Sequence, residues 1–386
     1  MTGGGPDRRN DRMVDALVRA GAIRDGRVER AFRALPRHWF LPGAPVDDVY
    51  LDRAVVTHRR GDGVPISSST QPALMAGMLH QLAVEPGMTV LEIGAGTGYN
   101  AALLGHLVGP AGRVVTVDVD PDITGAAEQH LAAAGTSNVT VVTGDGWAGA
   151  PYGEVFDRVV ATVGVWDVSP AWVAQLADGG MLVVPLWLRA GQQASVGFRR
   201  VGEGLQSLSV EPCGFMRMRG RGAGQPFYRR LGRWTVSLDA PDPDAERLLA
   251  SLLEQEPFVR PAPQLPRGWF TPIALGQHHA VHLFTEGDRG PVIRAGILHR
   301  SPPGLAVVES NPLARPPVRE TVRCFGSEAA LDRLLDLLHR EPPVDVSELV
   351  IVAVPTGGRV GCRHSLARLV RPAYTFVIGG GGPSPA

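Results

Sequence analysis

The chain has 386 residues, and its 38 basic and 38 acidic side chains cancel to a formal charge of zero. With 44% hydrophobic and 20% charged residues it has the balance of a globular protein long enough for two cores. Neutrality and the lack of a dense basic run remove the electrostatic footprint of a nucleic-acid or anionic-membrane binder, so neither partner is expected. Every basic residue is Arg, which excludes a lysine Schiff base or lysine general base. Cys213, Cys324 and Cys362 are far apart and never in a CxxC spacing, so no disulfide scaffold or structural zinc site is indicated. Residues 1–12 are glycine-rich and charged without an apolar core, and the longest apolar stretch, residues 181–188, is too short to span a bilayer. A cytoplasmic protein is expected.

Residues 13–20 and 27–35 place apolar side chains at helical spacing, and Pro36 stops the second helix. Residues 36–53 follow as an aromatic, irregular collar. A helix is expected over 71–82, and then strand and helix alternate. Strands are predicted at 89–93, 114–117, 139–142, 158–162 and 181–185, with helices at 99–107, 124–134 and 172–176 and a turn at 178–180. Strands that are apolar throughout and separated by helices predict a parallel sheet covered on both faces. The fold expected is α/β, a doubly wound Rossmann-like domain followed by a smaller α+β domain. Residues 1–82 would form a helical collar with a serine-rich segment, 83–220 the core, and 221–386 an accessory domain after a glycine-rich linker at 219–224. In the accessory domain a helix is predicted at 328–339 with Leu331, Leu334, Leu335 and Leu338 on one face, strands at 349–354 and 374–378, and a flexible tail from 379.

Val90-Leu91-Glu92-Ile93-Gly94-Ala95-Gly96-Thr97-Gly98 sets three glycines at a strand-to-helix turn, where the backbone bends sharply and approaches a ligand. The spacing is GxGxG rather than the GxGxxG of a dinucleotide site. Asp118 ends the next strand, where a carboxylate can accept from both ribose hydroxyls, and Asp145, before Gly146 and Trp147, can receive an adenine amine. Acids around a glycine turn with no bulky anion suit S-adenosyl-L-methionine better than a dinucleotide. Asp118 and Asp145 taken singly are equally consistent with turn or cap residues. The expected cofactor contacts are Glu92, Gly94, Ala95, Gly96, Thr97, Gly98, Asp118, Val119, Asp145, Gly146 and Trp147.

With these pieces in place, residues 13–218 resemble the protein L-isoaspartate O-methyltransferase family. The resemblance is carried by Leu35-Pro36-Arg37, Phe40-Leu41-Pro42, residues 50–53 and 67–72, the glycine loop, Gly144-Asp145-Gly146-Trp147, Ala150-Pro151-Tyr152 and residues 176–185. It implies a class I methyltransferase domain that transfers a methyl group to an aspartyl or isoaspartyl carboxylate of a protein or peptide. The family's active-site hydroxyl falls on Thr70, with Ser69 and Ser68 beside it as further candidates, and Ser69 stands where a hydrophobic residue is common. The serine-rich segment, Gly98-Tyr99-Asn100-Ala101-Ala102 and the 166 residues beyond Gly220 look like the branch associated with ribosomally synthesised peptides such as lanthipeptides and graspetides. That branch implies methylation of one aspartate in a modified precursor, with collapse to aspartimide or isoaspartate; the alternative is general repair of damaged proteins.

Weaker signals remain. His278 and His282 have helical metal-ligand spacing, with His279 between them, but neighbouring residues read as strand and no acid or cysteine completes a site, so no metal is expected. Trp39, Phe40 and Trp147 frame a peptide groove or belong to the core. Arg37 and Arg53 pair with substrate carboxylates or with Asp52 and Glu29.

Overall fold

The computed structural model describes residues 6–61, 63–225, 228–238, 241–276, 279–287, 290–310, 320–358 and 365–380. The chain opens with helices α1 (Pro6–Arg19) and α2 (Gly26–Ala34). Asp25 caps α2 by accepting from the Arg27 N–H at 2.7 Å, and Arg33 on α2 reaches Asp15 on α1 at 2.7 Å. A 3-10 turn at Arg37–Phe40 and the one-turn helix α3 (Val46–Val49) follow. The serine-rich segment, which the sequence left without a secondary structure, is strand β2 (Pro65–Ser69) of a hairpin with β1 (Val55–Arg59). Helix α4 (Pro72–Leu82) starts on Pro72, whose fixed φ and missing N–H suit a first helical turn.

The alternating region folds as the periodicity predicts: β3 (Thr89–Ile93), α5 (Tyr99–Val108), β4 (Arg113–Asp118), α6 (Pro121–Ala133), β5 (Val139–Thr143), β6 (Phe156–Ala161), α7 (Pro170–Ala174) and β7 (Leu176–Trp187). The strands run parallel in the order β5-β4-β3-β6-β7. Leu79, Leu82, Leu103 and Leu104 cover one face, and Phe156, Val159, Trp172 and Leu182 pack on the other. The turn expected at 178–180 lies inside β7 instead. Phe156 pairs with Leu176 but Arg158 with Met181, so residues 177–180 bulge from a strand already begun. Strands β8 (Gln193–Val201) and β9 (Gly204–Pro212) extend the sheet antiparallel.

The second half contains β10 (Tyr228–Leu231), β11 (Trp234–Ser237), α8 (Pro243–Leu253), β12 (Phe258–Pro261), α9 (Phe270–Gly276), β13 (Ala280–Gly287), β14 (Gly290–Arg300), β15 (Pro303–Ser310), β16 (Thr321–Gly326) and α10 (Ala329–Arg340). Its strands form an antiparallel sheet ordered β10-β11-β13-β14-β15-β16-β12, with α8 packed on one face and α9 and α10 on the other. On α10 the buried side chains are Ala330, Leu334 and Leu337, whereas Leu335 is 40% exposed. Leu331 and Leu338 pack against the same core, so the predicted face holds at Leu331, Leu334 and Leu338 and differs in burying Leu337 rather than Leu335.

One expectation is corrected. Residues 221–386 are not a separate accessory unit, because β17 (Leu349–Pro355), β18 (Ala367–Val370) and β19 (Tyr374–Gly380) return to the first sheet. Among the described residues that sheet has ten strands, ordered β18-β19-β17-β9-β8-β7-β6-β3-β4-β5. Val352 pairs with Gln206 and Ala353 with Leu205, and the Ile351 N–H donates to Ser207 Oγ at 2.8 Å, so the open edge of β9 is covered. Of the expected tail, residues 379 and 380 end β19, and 381–386 lie outside the described residues. No described helix is long and apolar enough to cross a membrane.

Candidate functional site

The glycine loop sits at the carboxyl end of β3, on the edge of a cavity of about 1190 Å³. Of the residues expected to contact a cofactor, Glu92, Gly94, Ala95, Gly96, Thr97, Asp118, Val119 and Gly146 line it. Gly96 has φ of 52°, and the atom nearest a Cβ there would be the Ser68 carbonyl oxygen at 3.8 Å, so the backbone is bare on the cavity side. Gly98 does not line the cavity. A Cβ on it would stand 3.2 Å from the Ala127 carbonyl, so this glycine brings α5 against α6 instead of meeting a ligand.

Two carboxyls shape this end. Glu92 is fully buried, accepting from Thr116 Oγ1 at 2.6 Å and Asn100 Nδ2 at 2.7 Å. Burial pushes its pKa up to about 7, against the pull of those two hydrogen bonds. Asp118 accepts from the Gly96 N–H at 3.4 Å and the Asp120 N–H at 3.3 Å. Burial raises its pKa as well, opposed by these backbone donors and by Arg219.

The run at 219–224 differs from the linker expected. It folds back as a strap over the nucleoside end: Arg219 donates to Asp120 at 2.8 Å and to Asp118 at 3.4 Å, and the Arg221 N–H donates to Asp145 at 2.9 Å. Gly220 has φ of 77°, and a Cβ there would fall 2.8 Å from Asp145 Oδ1, so only glycine lets the strap lie this close. Asp145 therefore differs from its expected role. It caps Trp147 N at 3.0 Å, carries the strap, and is not among the residues lining the cavity; nor is Trp147, which packs on Trp172.

Across the cavity lies β2. Period-2 alternation divides its hydroxyls. Ser67 accepts from Thr57 Oγ1 at 3.1 Å, and Ser69, 2% exposed, accepts from Arg37 Nη2 at 3.3 Å. Ser67, Ser68, Ser69 and, just past the strand, Thr70 all line the cavity, and of these the Ser68 and Thr70 hydroxyls have no hydrogen-bond partner among the described residues. Ser69, expected beside Thr70 as a catalytic hydroxyl, is thus committed to Arg37. Sequence reasoning placed Arg37 on substrate or on an acid, but its fully buried guanidinium holds main-chain carbonyls: Val49 at 2.7 Å, Thr70 at 2.8 Å, Ser69 at 3.2 Å and Arg53 at 3.3 Å. Arg53 pairs with Asp48 at 2.5 Å and Glu29 with Arg33 at 2.9 Å. Asp52 takes the Ala73 N–H at 2.8 Å and Gln71 Nε2 at 3.0 Å, fixing the start of α4.

The aromatics expected at a groove are elsewhere: Phe40 is buried against Tyr99, and Trp39, 40% exposed, does not line the cavity. The cavity wall is instead built by residues the sequence left unmarked, Trp187, Phe215 and, from the second sheet, Tyr228 and Ile293. His282 lies on strand β13, not on a helix, and is buried against Phe284; His278 lies outside the described residues, as does Cys362.

A doubly wound sheet whose glycine loop and strand-end acid share one cavity with a row of alcohols has the architecture of a class I methyltransferase. The family model described as protein-L-isoaspartate(D-aspartate) O-methyltransferase matches residues 8–221, and the chain belongs to that family. A protein-L-isoaspartate O-methyltransferase of Thermotoga maritima is 39% identical over 167 residues, which are 43% of this chain and 52% of the relative. One from Methanopyrus kandleri is 38% identical over 187 residues, 48% of this chain and 80% of its own. A solved protein-L-isoaspartate O-methyltransferase superposes with a TM-score of 0.54 at 26% identity, covering 92% of this chain and 99% of its own, and so reaches well past residue 221.

Enzymes of this family are carboxyl methyltransferases that take their methyl group from S-adenosyl-L-methionine. The residues present fit that donor. Gly96 leaves a bare backbone facing the cavity, and Asp118 at the end of β4 and Glu92 at the end of β3 bring carboxyls to the same cavity, the donor set a cationic nucleoside needs.

Proposed function

We propose that this chain methylates isoaspartyl carboxylates of proteins or peptides in the manner of the repair enzymes it matches. The observation that carries the reading is the placement of the free Ser68 and Thr70 hydroxyls in the same cavity as Gly96 and Asp118, with the Ser68 carbonyl 3.8 Å from the Gly96 Cβ position.

The sulfonium donor supplies an already electrophilic methyl group. An acceptor carboxylate with a reference pKa of about 4 is ionised at neutral pH, so the chain needs no general base. Its residues act by positioning. Asp118 would hold the ribose, the bare Gly96 backbone would leave room for the nucleoside, and Thr70 and Ser68 would donate to the acceptor carboxylate and orient it for transfer. Alignment of this kind is worth on the order of 7 to 11 kcal/mol in well-oriented systems. The ester formed is open to attack by the following backbone nitrogen, which expels methanol and closes a five-membered imide.

The precursor-peptide reading rests on the serine-rich segment, the Gly98-Tyr99-Asn100-Ala101-Ala102 helix start and the long chain beyond Gly220. The last of these loses force, because a solved protein-L-isoaspartate O-methyltransferase aligns with 92% of the chain. The two readings separate with paired peptides of one arbitrary sequence, carrying isoaspartate or aspartate, assayed for methyl incorporation and methanol release. Transfer to the isoaspartyl member across unrelated sequences is expected; transfer confined to an aspartyl residue in a modified precursor would overturn the repair reading.

A further inference from the structure

The cavity is larger than one ligand fills. Small-molecule pockets run from about 300 to 1,000 Å³, and this one holds about 1190 Å³. Its nucleoside end and its alcohol row account for the donor and the acceptor carboxylate. Its lining also includes the charged Glu211 and Arg217 and a wall of four apolar or aromatic side chains, Trp187, Phe215, Tyr228 and Ile293. Two of these four come from the second sheet, Tyr228 on β10 and Ile293 on β14.

That wall is held from behind. Trp187 and Tyr228 meet edge to face with ring centroids 5.4 Å apart, and Phe284 backs Tyr228 at 5.7 Å. Arg371, 5% exposed, donates to the carbonyls of Trp187 at 3.2 Å, Leu188 at 3.3 Å and Trp166 at 2.9 Å. The hairpin between β7 and β8 is also locked to the second half, with Arg189 donating to the Leu275 carbonyl at 2.6 Å and a Gly191 Cβ position only 2.9 Å from Ser237. A rigid apolar surface a short way from an acceptor site is a preformed seat for an apolar group.

We propose that the far end of the cavity is a subsite for an apolar or aromatic side chain adjacent in sequence to the acceptor residue, built by Tyr228 and Ile293 together with Trp187. This deepens the proposed function and rests on it. The second sheet then acts in substrate choice, selecting sites of damage with a hydrophobic neighbour.

The test is a set of isoaspartyl peptides identical except for Gly, Leu or Phe immediately before or after the isoaspartate, assayed with the full-length protein. The expected result is a kcat/KM roughly tenfold or more higher for a Leu or Phe peptide than for its Gly counterpart, expressed mainly in KM. Tyr228→Ala and, independently, Ile293→Thr should bring that ratio towards one while calorimetric affinity for S-adenosylhomocysteine stays within about twofold. Equal kcat/KM across the peptides for the unaltered protein would overturn the subsite and leave the isoaspartyl reading standing. No transfer to any of them would overturn that reading and the subsite with it.

Discussion

Arg37 donates to the carbonyl of Thr70 at 2.8 Å from a position with no solvent exposure, so the segment bearing the unpaired alcohols hangs on one buried cation. Burial lowers the pKa of this guanidinium only to about 10, which leaves it charged at neutral pH. Arg37→Met would strand several buried carbonyls. A loss of about 3 kcal/mol in unfolding free energy is expected by urea titration, since each buried acceptor left unpaired costs about 1 to 3 kcal/mol. An unchanged midpoint would mean that the carbonyls find other donors.

The division of hydroxyls along β2 predicts unequal effects of equivalent changes. Thr70→Ala should lower kcat by about tenfold to a hundredfold, the scale of losing one aimed donor, with cofactor affinity nearly unchanged. Ser69→Ala should act mainly on stability, because its oxygen already serves Arg37. Steady-state kinetics beside calorimetry distinguishes them, and a larger kcat loss for Ser69→Ala would reverse the assignment.

Glu92 makes stability fall with rising pH. Its folded pKa of about 7 lies above the reference value of 4.5, so the unfolded chain releases this proton first. The penalty is absent below about pH 4.5, grows through the interval, and is complete above about pH 7 at roughly 3 kcal/mol. Glu92→Gln should therefore raise the thermal midpoint at pH 8 and leave it almost unchanged at pH 5. A midpoint that drops at pH 8 would show that Thr116 and Asn100 hold the ionised form.

Arg219 places a cation 3.4 Å from Asp118, with its side chain about one-third exposed. Its removal favours a cationic donor. Arg219→Ala should tighten cofactor binding about two- to fivefold at low salt, the range of a partly screened ion pair, and the gain should fade by 0.5 M salt. Weaker binding at every salt concentration would make the strap a wall of the nucleoside pocket.

The parallel core was legible because its signals are local. Residues 89–93 are an unbroken apolar strand before a glycine turn, and the structure places β3 on those same residues. The alcohols were named as a group, and had the segment been recognised as β, strict alternation would have set the unpaired hydroxyls of Ser68 and Thr70 apart from the hydrogen-bonded Ser67 and Ser69. What stayed hidden was non-local. Residues 349–354 announce a buried strand, but nothing in them says that it pairs with β9 rather than with the sheet just before it in the chain. The strap reads as a linker because a glycine that must fit against Asp145 is written the same way as one that is merely flexible. Arg37 was singled out, but its role was hidden, since a buried cation serving carbonyls matches no side-chain pattern.

The order of strands also sets a timetable for the nascent chain. Residues up to Pro212 emerge with one edge of β9 unpaired, and the strands that cover it, ending at Gly380, are made much later. At about 5 to 20 residues per second the interval is on the order of ten to thirty seconds. Throughout it the growing polypeptide carries a bare ribbon of amide and carbonyl groups, so newly made copies on one messenger are exposed to mispairing until those strands follow.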